Sequence, residues 1–529
     1  MPNFIPYNQT QLMLLPLNIR EMIPEDHLVH GISTLVERLD LSSIYQTYKN
    51  NEGGRPSYHP LMLIKVLFYA YAIGVRSSRK IAARLESDVF FMYLAAMQRP
   101  DFRTISDFRK DHLEELKELF QQIVVISMSL GIAKIGHISI DGTKMRASAG
   151  KRKTKSKESL DKLEQEIEKE IEKMLDEAEE VDEQEDRLYG DKRGDEMPKE
   201  LRKKEDLIEK IEEAKKKLKE RGWKEVNITD PDSRFMQDPD GGIDMGYNTQ
   251  VAVDEETQVI VANDVTSEVN DHHQFIPLYE QVVDNTDKKP EEVSADCGYA
   301  NGKNYMYIED NKIDAYLPDQ MFDKEVDKEG KEKLSRYDRR NFRYNKDKDT
   351  FTCPEGKILV YKQKQKKDGI NSRIYVGQEC SYCKQRVECT RGKARHVKVS
   401  EVDGIMERMR KKLLTDEGKE RYKKRLSTVE PVFGNLKKNL GYRDFQLRGL
   451  EKVRGEFQLM CIAHNIKKIH KYVTSEDGGG FSAQEWQKTE NHSSFLENIK
   501  GVVSEKIKTF LFRLIVPTTG FSRGEFVVI

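Results

Sequence analysis

The sequence predicts a mixed α/β fold, with a sheet-based core assembled from separated pieces of chain, a helical segment before it and two insertions within it. Three observations carry this expectation. Apolar residues recur at helical spacing through about the first 130 residues. Short runs of strand-like alternation follow, separated by helix-patterned stretches. Acidic residues stand at or beside these elements: Asp141 in HISIDGTKM, Asp296 in VSADCGYANG, and Glu430 in the basic stretch RLSTVEPVFGNLKKNLGY. With 529 residues the chain exceeds one ordinary domain, and a prior of ~150 residues per domain gives about three to four.

The first segment, residues 1–130, reads as helical. Helical periodicity is clear in LMLIKVLFYAYAIG and in SSRKIAARLESDVFFMYLAAM, with polar starts at Ser77 and Ser78 and a break at Pro100. Thr104 is the expected N-cap of a helix running through DFRKDHLEELKELFQQIVVISMSLG. Basic residues near helix starts (Arg76, Arg79, Lys80, Arg103, Arg109 and Lys110) suit a helix-turn-helix lying on DNA. A helical scaffold with solvated basic residues is the alternative.

The core begins at residues 135–150 with a short alternating strand, Ile135 to Asp141, expected to stop at Asp-Gly. Residues 151–224 interrupt it. Leu160, Leu163, Ile167, Ile171 and Leu175, then Leu207, Ile211, Ala214 and Leu218, recur every three or four positions within dense charge and predict an antiparallel helical hairpin. The core resumes over residues 225–320 with paired strands at Tyr247–Asp254 and Val259–Thr266, a helix at Gln274–Val283, a strand at Val293–Ala295, a helix at Asn301–Asp310 and a strand at Ala315–Leu317. Without the hairpin the order is strand, strand, strand, helix, strand, helix, strand. That is the ribonuclease H-like plan, in which carboxylates project from the ends of the first and fourth strands.

Residues 321–414 interrupt the plan again, being polar, strand-poor in appearance and home to Cys353, Cys380, Cys383 and Cys389. Helix resumes at Thr415, where Asp416 and Glu417 complement a helix N-terminus, and the core closes over residues 415–473. The tail, residues 474–529, carries no readable motif.

The net charge of -1 conceals an uneven distribution: Arg421–Lys468 holds twelve Lys and Arg against four Asp and Glu, a candidate phosphate-facing surface. The start MPNFIPYNQT lacks a basic region followed by an apolar core, so no secretory leader is expected. The longest apolar stretch, Pro60–Gly74, is broken by Lys65 and falls short of the ~20 residues a membrane helix needs. The cysteine usage suits a reducing cytoplasm rather than a disulfide framework. Cys380-x2-Cys383 has the spacing of half a zinc knuckle, which Cys353 and Cys389 could complete as a structural Zn²⁺ site; reduced, unligated thiols are the alternative. Cys297 and Cys461 fall outside the set.

Widely spaced acids on separate elements are what two-cation phosphoryl transfer requires: carboxylates flanking divalent ions, one activating the nucleophile and one stabilising the leaving oxygen. Oxygen ligands favour Mg²⁺ or Mn²⁺. Each acid also has an ordinary reading. Asp141-Gly142 could be a hairpin turn and Asp296 a helix cap. Glu430 could close a capping box with Ser427, although Thr428 as N-cap places Pro431 better. Lys144 and Arg146 could contact phosphate or pair with neighbouring acids, while His272 and His273 in VNDHHQF read as polar loop residues.

Taken in order, LLPLNIREMIPEDHLVHGI, RPSYHPLMLIKVLFYAYAIGVRSSRKIA, RTISDFRKDH, ISIDGTKMRASA, SADCGYAN, STVEPVFGNLKKNLGYRDFQLRG and AHNIKK resemble a bacterial insertion-sequence transposase of the DDE superfamily, in the IS-four-like clan and of its IS-eleven-eighty-two group. The resemblance implies that Asp141, Asp296 and Glu430 form a metal-binding catalytic triad using Mg²⁺ or Mn²⁺. It implies double-stranded DNA as partner, both terminal inverted repeats and target, with a homodimer in the DNA complex. The related signature around the third acid is Tyr-x2-Arg-x3-Glu-x6-Lys, met here by Tyr422, Arg425, Glu430 and Lys437 with one extra residue between Arg425 and Glu430. On a continuous helix that residue rotates Arg425 by about 100° relative to Glu430. Tyr422, Arg425, Lys437, Lys144, Arg79 and Arg109 are the expected DNA contacts. Members of the resembled group carry a similar cysteine cluster between the second and third acids. The implied activity is strand cleavage and transfer; the alternatives are a DNA-binding derivative without catalysis and a ribonuclease H-like nuclease that hydrolyses without joining.

Overall fold

Strand β1, His137–Arg146, is the axis on which the larger part of the chain is built. The computed structural model describes residues 18–48, 56–189, 199–237, 241–322 and 334–475; all but the first two residues of the 474–529 tail lie outside them. The chain divides into two units, residues 1–129 with 458–529, and residues 130–457.

Within the first unit, helices span Leu28–Glu37, Ser42–Thr47, Pro60–Ala72, Ser78–Ser87, Val89–Leu94, Phe102–Asp111 and Leu113–Ser129. Pro60–Ala72 is buried almost all round, which accounts for its near-continuous apolar run. Among the described residues no helix is long and apolar enough to cross a membrane. Two local expectations are corrected. The N-cap of Phe102–Asp111 is Asp101, whose side chain accepts the Thr104 N–H at 2.7 Å, and not Thr104. The expected single helix is also broken at His112, where the backbone leaves helical geometry before Leu113.

The second unit contains β1, a two-stranded base formed by β2 (Thr154–Ser156) and β3 (Glu225–Asn227), and a sheet completed by β4 (Arg234–Gln237), β5 (Ile243–Asp254), β6 (Ile260–Thr266), β7 (Glu292–Ala295) and β8 (Ala315–Tyr316). The path β4-β5-β1-β7-β8 has β6 paired on β5. β1 runs antiparallel to β5 and parallel to β7, with Ile140 opposite both Ala252 and Ala295. β6 is antiparallel to β5, so β1, β6 and β7 all point their carboxyl ends to one edge. The Val- and Ile-rich runs of β5 and β6 are buried on both faces.

Here β1 departs from expectation. It does not stop at Asp141-Gly142 but stays paired with β5 as far as Arg146, which lies opposite Gly246, and this excludes the hairpin-turn reading. The polar composition of GTKMR hid the continuation, because these residues are held by ladder pairing rather than by an apolar face.

The charged insertion folds as the hairpin its spacing predicts, with helices Lys157–Tyr189 and Lys199–Arg221. Leu160, Ile167, Ile211, Ala214 and Leu218 bury together with Val226 and Ile228 at its base. The Cys-bearing segment is not strand-poor. It forms an antiparallel sheet of β9 (Arg343–Asn345), β10 (Thr350–Thr352), β11 (Ile358–Lys367), β12 (Ile370–Gly377) and β13 (His396–Ser400), packed on Phe342, Phe351, Leu359, Tyr375 and Val397. Helices Asp403–Leu414 and Asp416–Gly434 follow, the second capped by Thr415, whose side chain accepts the Gly418 N–H at 3.0 Å. Pro431 lies inside this helix, so neither the capping-box nor the Thr428 N-cap reading of Glu430 holds. The missing Pro431 N–H frees the Ser427 carbonyl, which accepts from Gln258 Nε2 at 3.2 Å instead. A π-turn, Asn435–Asn439, and the helix Leu450–Thr474 complete the described chain.

Candidate active site

Parallel pairing of Ile140 with Ala295 puts the next residues, Asp141 and Asp296, side by side at the carboxyl edge of the sheet. Each carboxylate is oriented by its own backbone: Asp141 Oδ1 accepts the Gly142 N–H at 2.8 Å, and Asp296 Oδ1 accepts the Gly298 N–H at 2.9 Å. Asp296 thereby also caps the 3₁₀ turn Cys297–Tyr299, so its structural reading and its site position coexist.

A third acid reaches this edge, and it is Asp271. The loop after β6 delivers it, as the shared direction of β1, β6 and β7 requires. Its Oδ1 accepts from Asn248 Nδ2 at 2.7 Å, Gln250 Nε2 at 2.7 Å and Lys144 Nζ at 3.2 Å. Gln250 is held in turn by the Tyr299 hydroxyl, and the following loop by Asn301 and Asn304, which both donate to the His272 carbonyl. Two glycines make room for the carboxylates. A Cβ at Gly142 would run into Gln250 Nε2 and come within 3.0 Å of Asp271 Oδ1; one at Gly298 would meet Asp296 Oδ1 at 2.9 Å and Asp271 Oδ2 at 3.4 Å.

Burial pushes the Asp141 carboxyl up to about 6; Arg425 opposes the rise and the charges of Asp296 and Asp271 add to it. Asp296 is raised too, chiefly by burial, with Arg425 again opposing and Asp271 adding. The buried Tyr299 hydroxyl is raised by burial and by the three surrounding Asp charges. Arg425, itself buried, donates to Asp141 Oδ2 at 2.8 Å and lies beside the Tyr422 ring, 5.7 Å from its centroid.

Glu430 is exposed on the same helix as Arg425, five residues further on. At about 100° per residue those positions are separated by roughly 140° around the axis. With Arg425 turned to Asp141, Glu430 is not brought to Asp141 and Asp296 in this arrangement. Lys437 Nζ donates to Thr143 Oγ1 and, at 3.1 Å, to the Lys144 carbonyl. Tyr422, Arg425, Lys437 and Lys144 therefore gather around β1. Arg79 and Arg109 belong to the other unit: Arg79 is exposed, with its guanidinium 5.0 Å from the Phe102 ring centroid. Arg109 is buried, donating to the Tyr71 hydroxyl and the Arg76 carbonyl, each at 3.0 Å, and so is turned inward rather than toward a ligand.

The four cysteines gather at one end of the β9–β13 sheet. Cys353 Sγ accepts the Lys357 N–H at 3.3 Å and Cys380 Sγ accepts the Arg395 N–H at 3.4 Å. The Cys389 thiol is raised by burial, with Arg395 opposing and Cys380, Cys353 and Cys383 adding to the rise. As the side chains stand, no group of three His, Cys, Asp or Glu among the described residues is arranged to hold a metal ion. At the aspartates the donor type and the space cleared by Gly142 and Gly298 suit a hard divalent cation, while the Arg425 guanidinium now neutralises Asp141.

Two family models match the chain. Residues 17–111 match one described as transposase domain (DUF772), and residues 352–470 match one described as transposase DDE domain. Glu430, Tyr422, Arg425, Lys437 and the four cysteines fall inside the second match; Asp141, Asp271 and Asp296 fall outside both. No curated protein and no solved structure matches the chain. Two transposase models, matched in order along one chain, support an insertion-sequence DDE transposase.

Proposed function

We propose that the chain binds the terminal inverted repeats of its own insertion sequence and carries out divalent-cation-dependent DNA cleavage and strand transfer at the edge of the β1–β7 sheet. The observation that carries this reading is the register pair Ile140–Ala295, which makes Asp141 and Asp296 neighbours. The strand order β6-β5-β1-β7-β8 supports a ribonuclease H-like catalytic core, with the helical hairpin and the Cys-bearing sheet as insertions and the helical first unit as the DNA-binding part. Asp141 and Asp296 would hold Mg²⁺ or Mn²⁺, with Glu430 assigned as the third acid by its place in the signature. Bound there, the cations supply activation of the attacking oxygen and neutralisation of charge at phosphorus.

The chain's own residues do the rest. Lys437, Lys144 and Arg425 present cationic groups along β1, where a strand's phosphates would run. Arg79, on the first unit, offers an exposed cation for a duplex. Pairing two DNA ends requires two copies of the chain, and the four cysteines suit a structural Zn²⁺ that rivets the inserted sheet.

The test is cleavage of a labelled duplex spanning the boundary of the element, in Mg²⁺ or Mn²⁺, by the unmodified chain and by Asp296→Asn. Metal-dependent nicking at the boundary, reduced at least a hundredfold by the substitution, is the expected result. Binding without cleavage by the unmodified chain would instead indicate a DNA-binding derivative, and cleavage without joining of ends a hydrolytic nuclease.

A further inference from the structure

The geometry points to Asp271 as a third carboxylate of the cation site, donating an oxygen beside Asp141 and Asp296. This rests on the cation-dependent reading of that site and adds to it a residue that neither family match reaches.

Asp271 is held by one of its two oxygens. A loop carboxylate in water would rotate freely, yet the hydrogen bonds from Asn248, Gln250 and Lys144 all fall on Oδ1. Asn248 and Gln250 are fully buried and lie on β5, next to β1, so the fixing groups belong to the sheet itself. Gln250 Nε2 also donates to Asn248 Oδ1 at 2.9 Å, and the Tyr299 hydroxyl fixes Gln250 from the other side. A chain of four polar side chains therefore orients one carboxylate. Its second oxygen, Oδ2, is turned toward Gly298, as is Asp296 Oδ1: a Cβ there would lie 3.4 Å from the first and 2.9 Å from the second. In the metal-free chain Lys144 and Arg425 offset the mutual repulsion of these carboxylates, a task a divalent cation would perform more strongly.

Holding one carboxylate oxygen by hydrogen bonds while the other faces a cation is the usual arrangement around a bound metal, where supporting groups fix the ligand's orientation. Glu430, by contrast, is exposed, and among the described residues no hydrogen bond turns it toward Asp141. Asp271 is thus the acid already oriented at this edge in the free chain, and it joins Asp141 and Asp296 as a donor once a cation displaces the Arg425 guanidinium from Asp141. A purely structural Asp271 would only anchor Lys144, and the two roles differ in metal preference.

The experiment is Mn²⁺ titration of the full chain by calorimetry, for the unmodified protein, Asp271→Asn and Asp271→Cys, with folding checked by circular dichroism. Asp271→Asn should weaken Mn²⁺ binding at least tenfold. Asp271→Cys should shift preference toward Cd²⁺, because a thiolate is a soft ligand; this readout decides the matter should Asp271→Asn fail to fold. A folded Asp271→Asn that binds Mn²⁺ like the unmodified chain, or an Asp271→Cys with unchanged metal preference, overturns the inference and leaves the Asp141–Asp296 site standing. An unmodified chain that takes up no Mn²⁺ even with boundary DNA overturns both.

Discussion

Arg425 and Asp141 form the most consequential pair in the second unit, because each is largely withdrawn from solvent: their side chains are 10% and 18% exposed. Removing one partner of such a pair strands the other charge. Arg425→Met should therefore lower stability at pH 7 by about 3 kcal/mol in metal-free buffer, and by less at pH 5, where Asp141 takes up a proton. The sign for Asp141 follows from its raised carboxyl, moved from 3.8 to about 6 chiefly by burial. Stability associated with its protonated form is complete below the unfolded value and is lost as pH rises through about 6, a span worth roughly 3 kcal/mol at most. Urea denaturation of the metal-free chain should show that loss between about pH 4 and 6, and Asp141→Asn should flatten it. A pH profile that is the same for both proteins would remove burial of Asp141 as its cause.

At the scale of elements, the readable parts were those whose burial pattern is written in side-chain polarity. β5, β6 and β7 appear as apolar runs because they are covered on both faces, and the hairpin insertion appears as a three-to-four spacing because its helices bury one stripe each. The β9–β13 sheet was not readable. YKQKQKK in β11 leaves its side chains exposed, and the strand is held by ladder pairing to β12. Asp271 was hidden for another reason: its importance comes from the direction of β6, a property of the sheet and not of the VNDHHQF segment. Local capping sets the start of the helix that carries Arg425 and Glu430. Thr415→Ala should cost about 1 kcal/mol by thermal denaturation, and no change would mean that tertiary packing alone holds that end.

For the whole molecule, the order of motifs along the chain was more informative than any one of them, since acids separated by long insertions become neighbours only through the parallel pairing of β1 with β7. The insertions add their own chemistry. If the cysteines hold zinc, the purified chain should contain one Zn²⁺ by atomic absorption, and Cys380→Ser should lower that content and make the β9–β13 sheet the first part to exchange its amide hydrogens. Full thermal stability and unchanged exchange after removal of the metal by a chelator would leave the cysteines as ordinary thiols.

The proposed activity stands or falls on whether Asp141 and Asp296 collect a divalent cation at the sheet edge. Replacing Mg²⁺ by Fe²⁺ with ascorbate and peroxide, then mapping where the protein backbone is cut, locates the ion itself, because hydroxyl radicals act close to where it is bound. Cuts should cluster near Asp141, Asp271 and Asp296, be suppressed by excess Mg²⁺ and be lost in Asp296→Asn. Cuts elsewhere, or cuts that persist in that variant, would contradict a cation held by these carboxylates.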